Sequence, residues 1–425
     1  MTARLLKSGL PRAGIPKAGQ ARSLLAGALA LSLAACATQA ASATDAADTP
    51  ATAAASAPAS PPSPVDGAPD SPAPLSPAPI APAPGTPALP EPVKPMPLAQ
   101  ARAAFIRDTA DRYGVDTATI ASVLARAEKR DSIIRAMSRP AEAKPWSEYR
   151  PIFISQARID GGQAFLAEHR AELAKVEARY GVPAEIIVSI VGVETSYGRN
   201  TGSYPVIDAL YTLAFFYPRS GDPAKADREN RREAFFRGEL AQLFALGKET
   251  GLDITTLTGS YAGAMGWGQF MPSSYREYAV DGDGDGRRDL FNSTDDVFAS
   301  IANYFVQKGG WVRGGPVTVR AVRDPGMPDF EPEGLEPVYS QADLAARGYR
   351  PATPVAAGEH AVPLNLDGVG GKEYWLGFRN FYAITRYNIS KHYAMAVYQL
   401  SEAIAGRENP LAATERQPPA SRDDA

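Results

Sequence analysis

Glu194 is the residue of this chain that most needs a chemical explanation. It closes the stretch "PAEIIVSIVGVET" (183–195), apolar on nearly every face and therefore read as a core helix ending before Gly198. In the last turns of such a helix a carboxyl group meets burial and the negative end of the helix dipole, and both oppose ionisation. The two effects raise its pKa toward that of a group still protonated near neutrality, which is what a general acid requires. A helix-end carboxylate turned to solvent, or paired with Arg199, is the competing reading. Position alone does not separate the two.

Three further stretches carry residue types suited to chemistry. "GSYAGAMGWGQFMPSSYREYA" (259–279) sets Trp267, Ser260 and Gln269 among small residues. No Gly-Lys-Ser/Thr follows, so it is not a phosphate loop. Its glycines allow close backbone approach, and its aromatic and uncharged polar groups suit a neutral polyol such as a sugar. A tight packing loop between helices is the alternative, and it is the reading preferred for Met265 and Phe270.

"DGDGDGRRDLFNSTDD" (281–296) places Asp281, Asp283, Asp285 and Gly286 at positions 1, 3, 5 and 6 of a calcium loop. Arg287 offers its carbonyl and Asp289 stands at position 9. Position 12 is Asn292 instead of a bidentate Glu, so a carboxylate must come from elsewhere, and Asp296 is the expected donor. An acidic solvated turn is the alternative. The oxygen-only donor set favours a structural Ca²⁺. "NFYAITRYNISKHYAMAVYQL" (380–400) contributes Tyr387 and Tyr393, which could line a cleft or belong to the core.

These residues need a mostly helical scaffold. Apolar spacing predicts helices over 98–131, with a stop at Gly114, and one amphipathic helix over 161–181 ended by Gly181. Pro183 stands where a first-turn proline would open the next helix. Helical patterns recur at 231–249, 295–308 and 390–406. Only about 315–375 differs, with "GPVTVRAV" and "HAVPLNL" as strand candidates. The fold class is mainly α (α+β), with a small β-containing excursion in the C-terminal part.

The region before 98 has no such pattern. A basic start and the apolar run "LLAGALALSLAA" (24–35) predict a signal peptide over 1–35, too short to span a bilayer. "LAAC" resembles a bacterial lipobox, which makes Cys36 the expected lipidation site and the acyl chains the anchor; an ordinary Ala-x-Ala cleavage site is the alternative. Residues 50–97 hold 17 of the 38 prolines, so 36–97 is expected to be the lipidated Cys and an extended linker that buries no core. In polyproline conformation 61 residues from Ala37 reach roughly 190 Å. The folded body is placed at 98–410 and a polar tail at 411–425.

Together the four stretches resemble the membrane-bound lytic murein transglycosylase B family, glycoside hydrolase family 103. The words "VETSYGRNTGSYPVIDALYTLAFFYPR", "SYAGAMGWGQFMPSSY", "DGDGDGRRDLFNSTDDVFASIANYF" and "NFYAITRYNISKHYAMAVYQL" carry it, over about 98–405. The resemblance implies a lysozyme-like fold with Glu194 as the catalytic residue. Ser260 and Gln269 would bind substrate near it, and Tyr149, Tyr304, Tyr387 and Tyr393 would line saccharide subsites. "RREAFF" matches paired arginines, so Arg231 and Arg232 would contact peptide or sugar substituents. The chain carries extra residues, "SGDPAKADREN", between Arg219 and Arg231. The family's calcium loop also draws a carboxylate from beyond the turn, which supports Asp296, with Asp295 as the rival.

The implied partners are peptidoglycan glycan strands and, through the anchor, the periplasmic face of a Gram-negative outer membrane; other cell-wall enzymes are candidate partners. A net charge of −3 without a basic run argues against nucleic acid. Three His and one Cys argue against zinc and a disulfide framework, and no organic cofactor is expected. A hydrolytic muramidase and a non-catalytic murein-binding module are the alternative functions. The first differs by needing a second carboxylate, which no motif supplies; the second has no use for Glu194.

Overall fold

The computed structural model describes residues 96–138 and 144–407. The expected signal peptide, Cys36, nearly all of the linker and the 411–425 tail lie outside the described residues. Among those described, no helix is long and apolar enough to cross a membrane.

Helix α1 (Leu98–Tyr113) buries Ala101, Phe105 and Thr109, and ends where Gly114 turns left-handed at φ 63°. Helix α2 (Thr117–Arg126) starts on Asp116, whose carboxylate accepts from the Thr119 amide. Short helices α3 (Asp131–Met137) and α4 (Trp146–Phe153) follow. The single helix expected over 161–181 is instead two, α5 (Gln156–Glu168) and α6 (Arg170–Tyr180), broken at His169 with φ −101° and ψ 23°. The break has a packing reason. The His169 ring lies 4.4 Å from Phe165 and 5.4 Å from Phe298 (centre to centre), which turns α6 toward the helix carrying Phe298.

Helix α7 (Ala184–Thr195) runs through the core, burying Ile186 to Gly192 without a break. Pro183 is its N-cap, with ψ 140°, and Ala184 is the first helical residue. The pair β1 (Tyr204–Pro205) and β2 (Thr258–Gly259) is antiparallel, with Tyr204 opposite Gly259. Between the two strands, α8 (Val206–Phe215) packs along α9 (Ala226–Thr250). Helix α10 (Pro272–Tyr278) leads through the acidic loop to α11 (Thr294–Tyr304), which continues as a π-helical turn, Phe305–Gly309.

The two strand candidates are part of a four-stranded antiparallel sheet. Its strands are β3 (Thr318–Arg323), β4 (Tyr349–Pro351), β5 (Val362–Gly368) and β6 (Gly371–Gly377), in the order β4-β3-β6-β5. The β5–β6 hairpin pairs Val362 with Gly377 through Gly368 with Gly371. With α12 (Gln341–Ala346) the sheet encloses a small core of Leu344, Tyr349, Ala361, Leu376 and Phe378. Helices α13 (Arg379–Tyr387) and α14 (Lys391–Ile404) return to the main core, where α14 packs on α7. The fold is mainly α with small antiparallel sheets.

Candidate active site

The end of α7 is wound into an uncommon turn. Ser196, Tyr197 and Gly198 all have positive φ, at 51°, 63° and 77°. Two consecutive non-glycine residues there are strained and need outside support. Tyr197 supplies part of it by burying its ring and donating its hydroxyl to the Arg158 carbonyl at 2.6 Å. The ring fits because Gly192 has no side chain; a Cβ there would lie 2.7 Å from it. Arg158 in turn donates to the Gly192 carbonyl at 2.6 Å. Buried Thr195 accepts from the Gly198 amide and places its hydroxyl 3.1 Å from the carbonyls of both Val191 and Trp267.

This turn presents Glu194. The residue is partly exposed, as a group that must meet a ligand has to be. Tyr393 at the start of α14 donates its hydroxyl to Glu194 Oε1 at 2.5 Å. Burial pushes the Glu194 carboxyl up to about 7, and the Tyr393 bond opposes part of that rise. Among the described residues, no second carboxylate and no cation bears on it. Arg199 is exposed, and among the described residues no ion pair reaches Glu194. The carboxyl can thus carry a proton at neutral pH and accept it back.

The four tyrosines named from sequence stand differently toward this carboxyl. Tyr393 touches it. Tyr387 is near enough for the charge of Glu194 to raise its phenol, after burial, and Tyr149 and Tyr387 act likewise on Tyr393. Tyr387 donates to the Gly268 carbonyl at 2.5 Å, and its ring centre is 4.9 Å from that of Tyr304. Buried Tyr304 donates to the Arg386 carbonyl at 2.7 Å. Tyr149 on α4 packs against Trp146, Phe153 and His392, the neighbour of Tyr393. Tyr304 is accordingly a core residue behind the site, and Tyr387 clamps the glycine-rich loop.

That loop lies directly on the turn that presents Glu194. A Cβ at Gly198 would be 2.7 Å from the Trp267 ring, and one at Gly268 would be 2.9 Å from the Tyr387 hydroxyl. Ser260 Oγ accepts from the amides of Ala262 and Ala264, which leaves its own hydrogen to donate. Gln269, at φ 51°, donates its amide nitrogen to the carbonyls of Thr201 and Gly266, both at 3.0 Å, so its oxygen remains an acceptor. Sequence reasoning missed Thr195, Trp267 and Arg158 as the supports of Glu194. Thr195 left a signal, a polar residue following the acid inside an apolar helix.

Arg231 and Arg232 are exposed on α9. Arg232 packs over the rings of Phe235 and Phe236 and lines a pocket of about 450 Å³, whose walls include neither Glu194 nor the four tyrosines.

In the acidic loop, carboxylate oxygens of Asp281, Asp283 and Asp296 lie within 4.8 Å of one another. Asp296, buried in the first turn of α11, accepts from the amides of Gly282 and Asp289, both at 2.6 Å, and so holds the two arms together. Asp285 stands outside the trio and accepts from the Arg287 amide. Among the described residues no Lys or Arg pairs with the trio, so a hard cation fits this set of oxygens. The loop also reaches the site, because the Leu290 carbonyl accepts from the Trp267 amide at 3.0 Å.

Residues 98–402 match the family described as the transglycosylase SLT domain. The chain belongs to that family. It is a lytic transglycosylase with a lysozyme-like fold. The membrane-bound lytic murein transglycosylase B of Escherichia coli is 41% identical over 312 residues, 71% of this chain and 81% of its own. The soluble lytic transglycosylase SltB1 of Pseudomonas aeruginosa is 46% identical, with a TM-score of 0.64 over 72% of this chain and 98% of that one. The E. coli lytic transglycosylase Slt35, in complex with calcium, is 41% identical, with a TM-score of 0.63 over 72% and 93% of the two chains.

Proposed function

We propose that this transglycosylase cleaves the β-1,4 bond between N-acetylmuramic acid and N-acetylglucosamine in peptidoglycan, with Glu194 as acid and then base. Protonated Glu194 gives its proton to the glycosidic oxygen as the bond to the muramyl C1 breaks, and the N-acetyl group of the muramyl residue stabilises the developing cation. The Glu194 carboxylate then takes the proton of the 6-hydroxyl as that oxygen bonds to C1. The product is a 1,6-anhydromuramyl end, no water is consumed, and Glu194 is again protonated. Intramolecular attack gains the proximity advantage. One observation carries the reading: a carboxyl held up to about 7 with no second carboxylate among the described residues acting on it. A retaining glycosidase needs a partner carboxylate about 5 Å away.

Because Tyr393 occupies Oε1, Oε2 is the oxygen that carries the mobile proton. Ser260 and Gln269 offer one donor and one acceptor to the sugar, while Tyr149, Tyr387 and Tyr393 line its path and Tyr304 backs them. Arg231 and Arg232 stand further off as contacts for substituents. A Ca²⁺ would be held by Asp281, Asp283 and Asp296, with Asp285 and the Arg287 carbonyl completing the set. When bound it supplies the positive charge that ties the loop to α11. The "LAAC" motif and the membrane-bound E. coli relative support lipidation at Cys36 and a place on the periplasmic face of the outer membrane. Acyl labelling should vanish in Cys36→Ala.

The mechanism is tested by mass analysis of fragments released from purified murein. Anhydromuramyl ends are expected. Reducing ends, heavier by one water, would mean a hydrolytic muramidase.

A further inference from the structure

Glu239 is a buried carboxyl that the chemistry above does not use. It stands in α9 among Phe236, Leu240 and Leu243, on the face turned to the core, and is 4% exposed. Burial raises its carboxyl above the ordinary value, and among the described residues no Lys or Arg pairs with it. A group so placed is costly unless its oxygens are satisfied. One residue satisfies both. Ser273 donates its amide to Oε2 at 2.9 Å and its hydroxyl to Oε1 at 2.6 Å.

Ser273 lies in the first turn of α10, a helix whose own N-cap, Met271, offers no side-chain acceptor. Glu239 supplies from α9 the acceptor that the local sequence lacks. The anchor falls where the glycine-rich loop enters α10. At its other end that loop is held by the pairing of Gly259 with Tyr204. Between the two ends Met265 and Phe270 exchange amide–carbonyl bonds at 2.9 and 3.0 Å. Gln269, proposed as a sugar contact, lies within the anchored segment. So does Trp267, whose carbonyl is 3.1 Å from the hydroxyl of Thr195, the neighbour of Glu194. The far end of α10 is tied to α9 separately, by Arg276 paired with Glu249.

We propose that Glu239 is a positioning residue for the transglycosylase reaction: through Ser273 it fixes the glycine-rich loop, so that Ser260 and Gln269 meet the sugar already in place. This rests on the reading that those two residues contact the glycan strand. A loop that has to be ordered on binding takes that entropy out of affinity. Glu239 does not act on Glu194, whose proton affinity is set by burial and Tyr393.

The test compares Glu239→Ala, Glu239→Gln and Ser273→Ala in the full chain. Amide hydrogen exchange should quicken across 260–273 in folded Glu239→Ala and stay unchanged in α7 and α14. In a Glu194→Gln background, which stops turnover, Glu239→Ala should bind purified, peptide-free glycan strands about tenfold more weakly, the scale of ordering one loop residue. With Glu194 intact, KM should rise by a similar factor while the alkaline limb of the pH–rate profile stays near 7. Glu239→Gln should recover most of the loss, because its amide still accepts from the Ser273 amide and donates to the Ser273 hydroxyl. Ser273→Ala removes one of the two bonds and should weaken binding about threefold. It carries the test should Glu239→Ala fail to fold. A lower melting temperature with unchanged loop exchange and unchanged strand affinity would make Glu239 a core contact and overturn the proposal. A Glu194→Gln parent that binds no strand overturns the reading of Ser260 and Gln269, and this proposal with it.

Discussion

Two carboxylate sites in this molecule receive opposite treatment. Glu194 ends an apolar helix, loses much of its water and gains a single hydroxyl donor, so burial dominates and the group keeps its proton to about pH 7. Asp281 stays near the surface and accepts amides from Gly284 at 2.6 Å and Gly286 at 2.8 Å, which hold it below the usual carboxylate range. The chemical group is nearly the same. What differs is the number of backbone N–H donors and the access of water, and these decide whether a carboxyl is suited to moving a proton or to holding a cation.

The largest expected effect breaks the first half of that contrast. Glu194→Gln should lower release of anhydromuropeptides by at least roughly a hundredfold, the lower range for losing a general acid. The same variant should be more stable than its parent in alkaline buffer. The folded Glu194 binds its proton more tightly than the unfolded residue, whose ordinary value is 4.5. The folded chain therefore loses stability as pH rises from about 4.5 through about 7. At pH 8 the penalty is about 3 kcal/mol. Denaturant melts should show Glu194→Gln ahead by up to that amount at pH 8, with the gap closing below pH 4.5. An unchanged gap across this range would mean the carboxyl is not held neutral.

The acidic loop is probed by removing the cation proposed for it. Chelation, or Asp281→Ala, should lower the melting temperature by several degrees, since a ligand present at a hundred times its dissociation constant contributes about 2.7 kcal/mol. Activity should fall less than in Glu194→Gln, because the loop reaches the acid indirectly, through Leu290, Trp267 and Thr195. A protein whose melting ignores both chelator and added Ca²⁺ would have an acidic solvated turn here.

Much of this arrangement was legible in the sequence, and the exceptions have physical reasons. The run around Ile186–Val191 could only be a buried helix, so a carboxyl three residues later stood out. The acidic loop announced itself through Asp spacing around Gly286 and pointed to Asp296 as the extra carboxylate, whereas the position of Asp285 outside the trio needed the loop's own fold. The break at His169 was invisible because "AEHRAEL" has good helical spacing, and only packing against Phe298 favours the kink. Strand β6 escaped because "GKEYWLG" shows little alternation by itself and is made a strand by pairing with both β3 and β5. The tyrosines were named as a group, whereas the structure separates Tyr393, which touches the acid, from Tyr304, whose hydroxyl serves the Arg386 carbonyl. Sequence records residue type; which hydroxyl meets which oxygen is set by tertiary contact.

The smallest predicted effect sharpens the comparison within the site. Tyr393→Phe removes the hydroxyl that donates to Glu194 and makes its surroundings still less like those of Asp281. That hydroxyl lowers the Glu194 pKa, so its loss should move the alkaline limb of the pH–rate profile upward from about 7. The maximal rate should fall by about tenfold, since the carboxylate formed after proton transfer loses a hydrogen bond to a charged group. Tyr387→Phe is the control, because its hydroxyl serves the Gly268 carbonyl and not the acid. It should slow the enzyme through a looser glycine-rich loop and leave the limb where it is. Should the limb move equally in both variants, burial by the aromatic wall as a whole, and not the Tyr393 hydrogen bond, sets the proton affinity of Glu194.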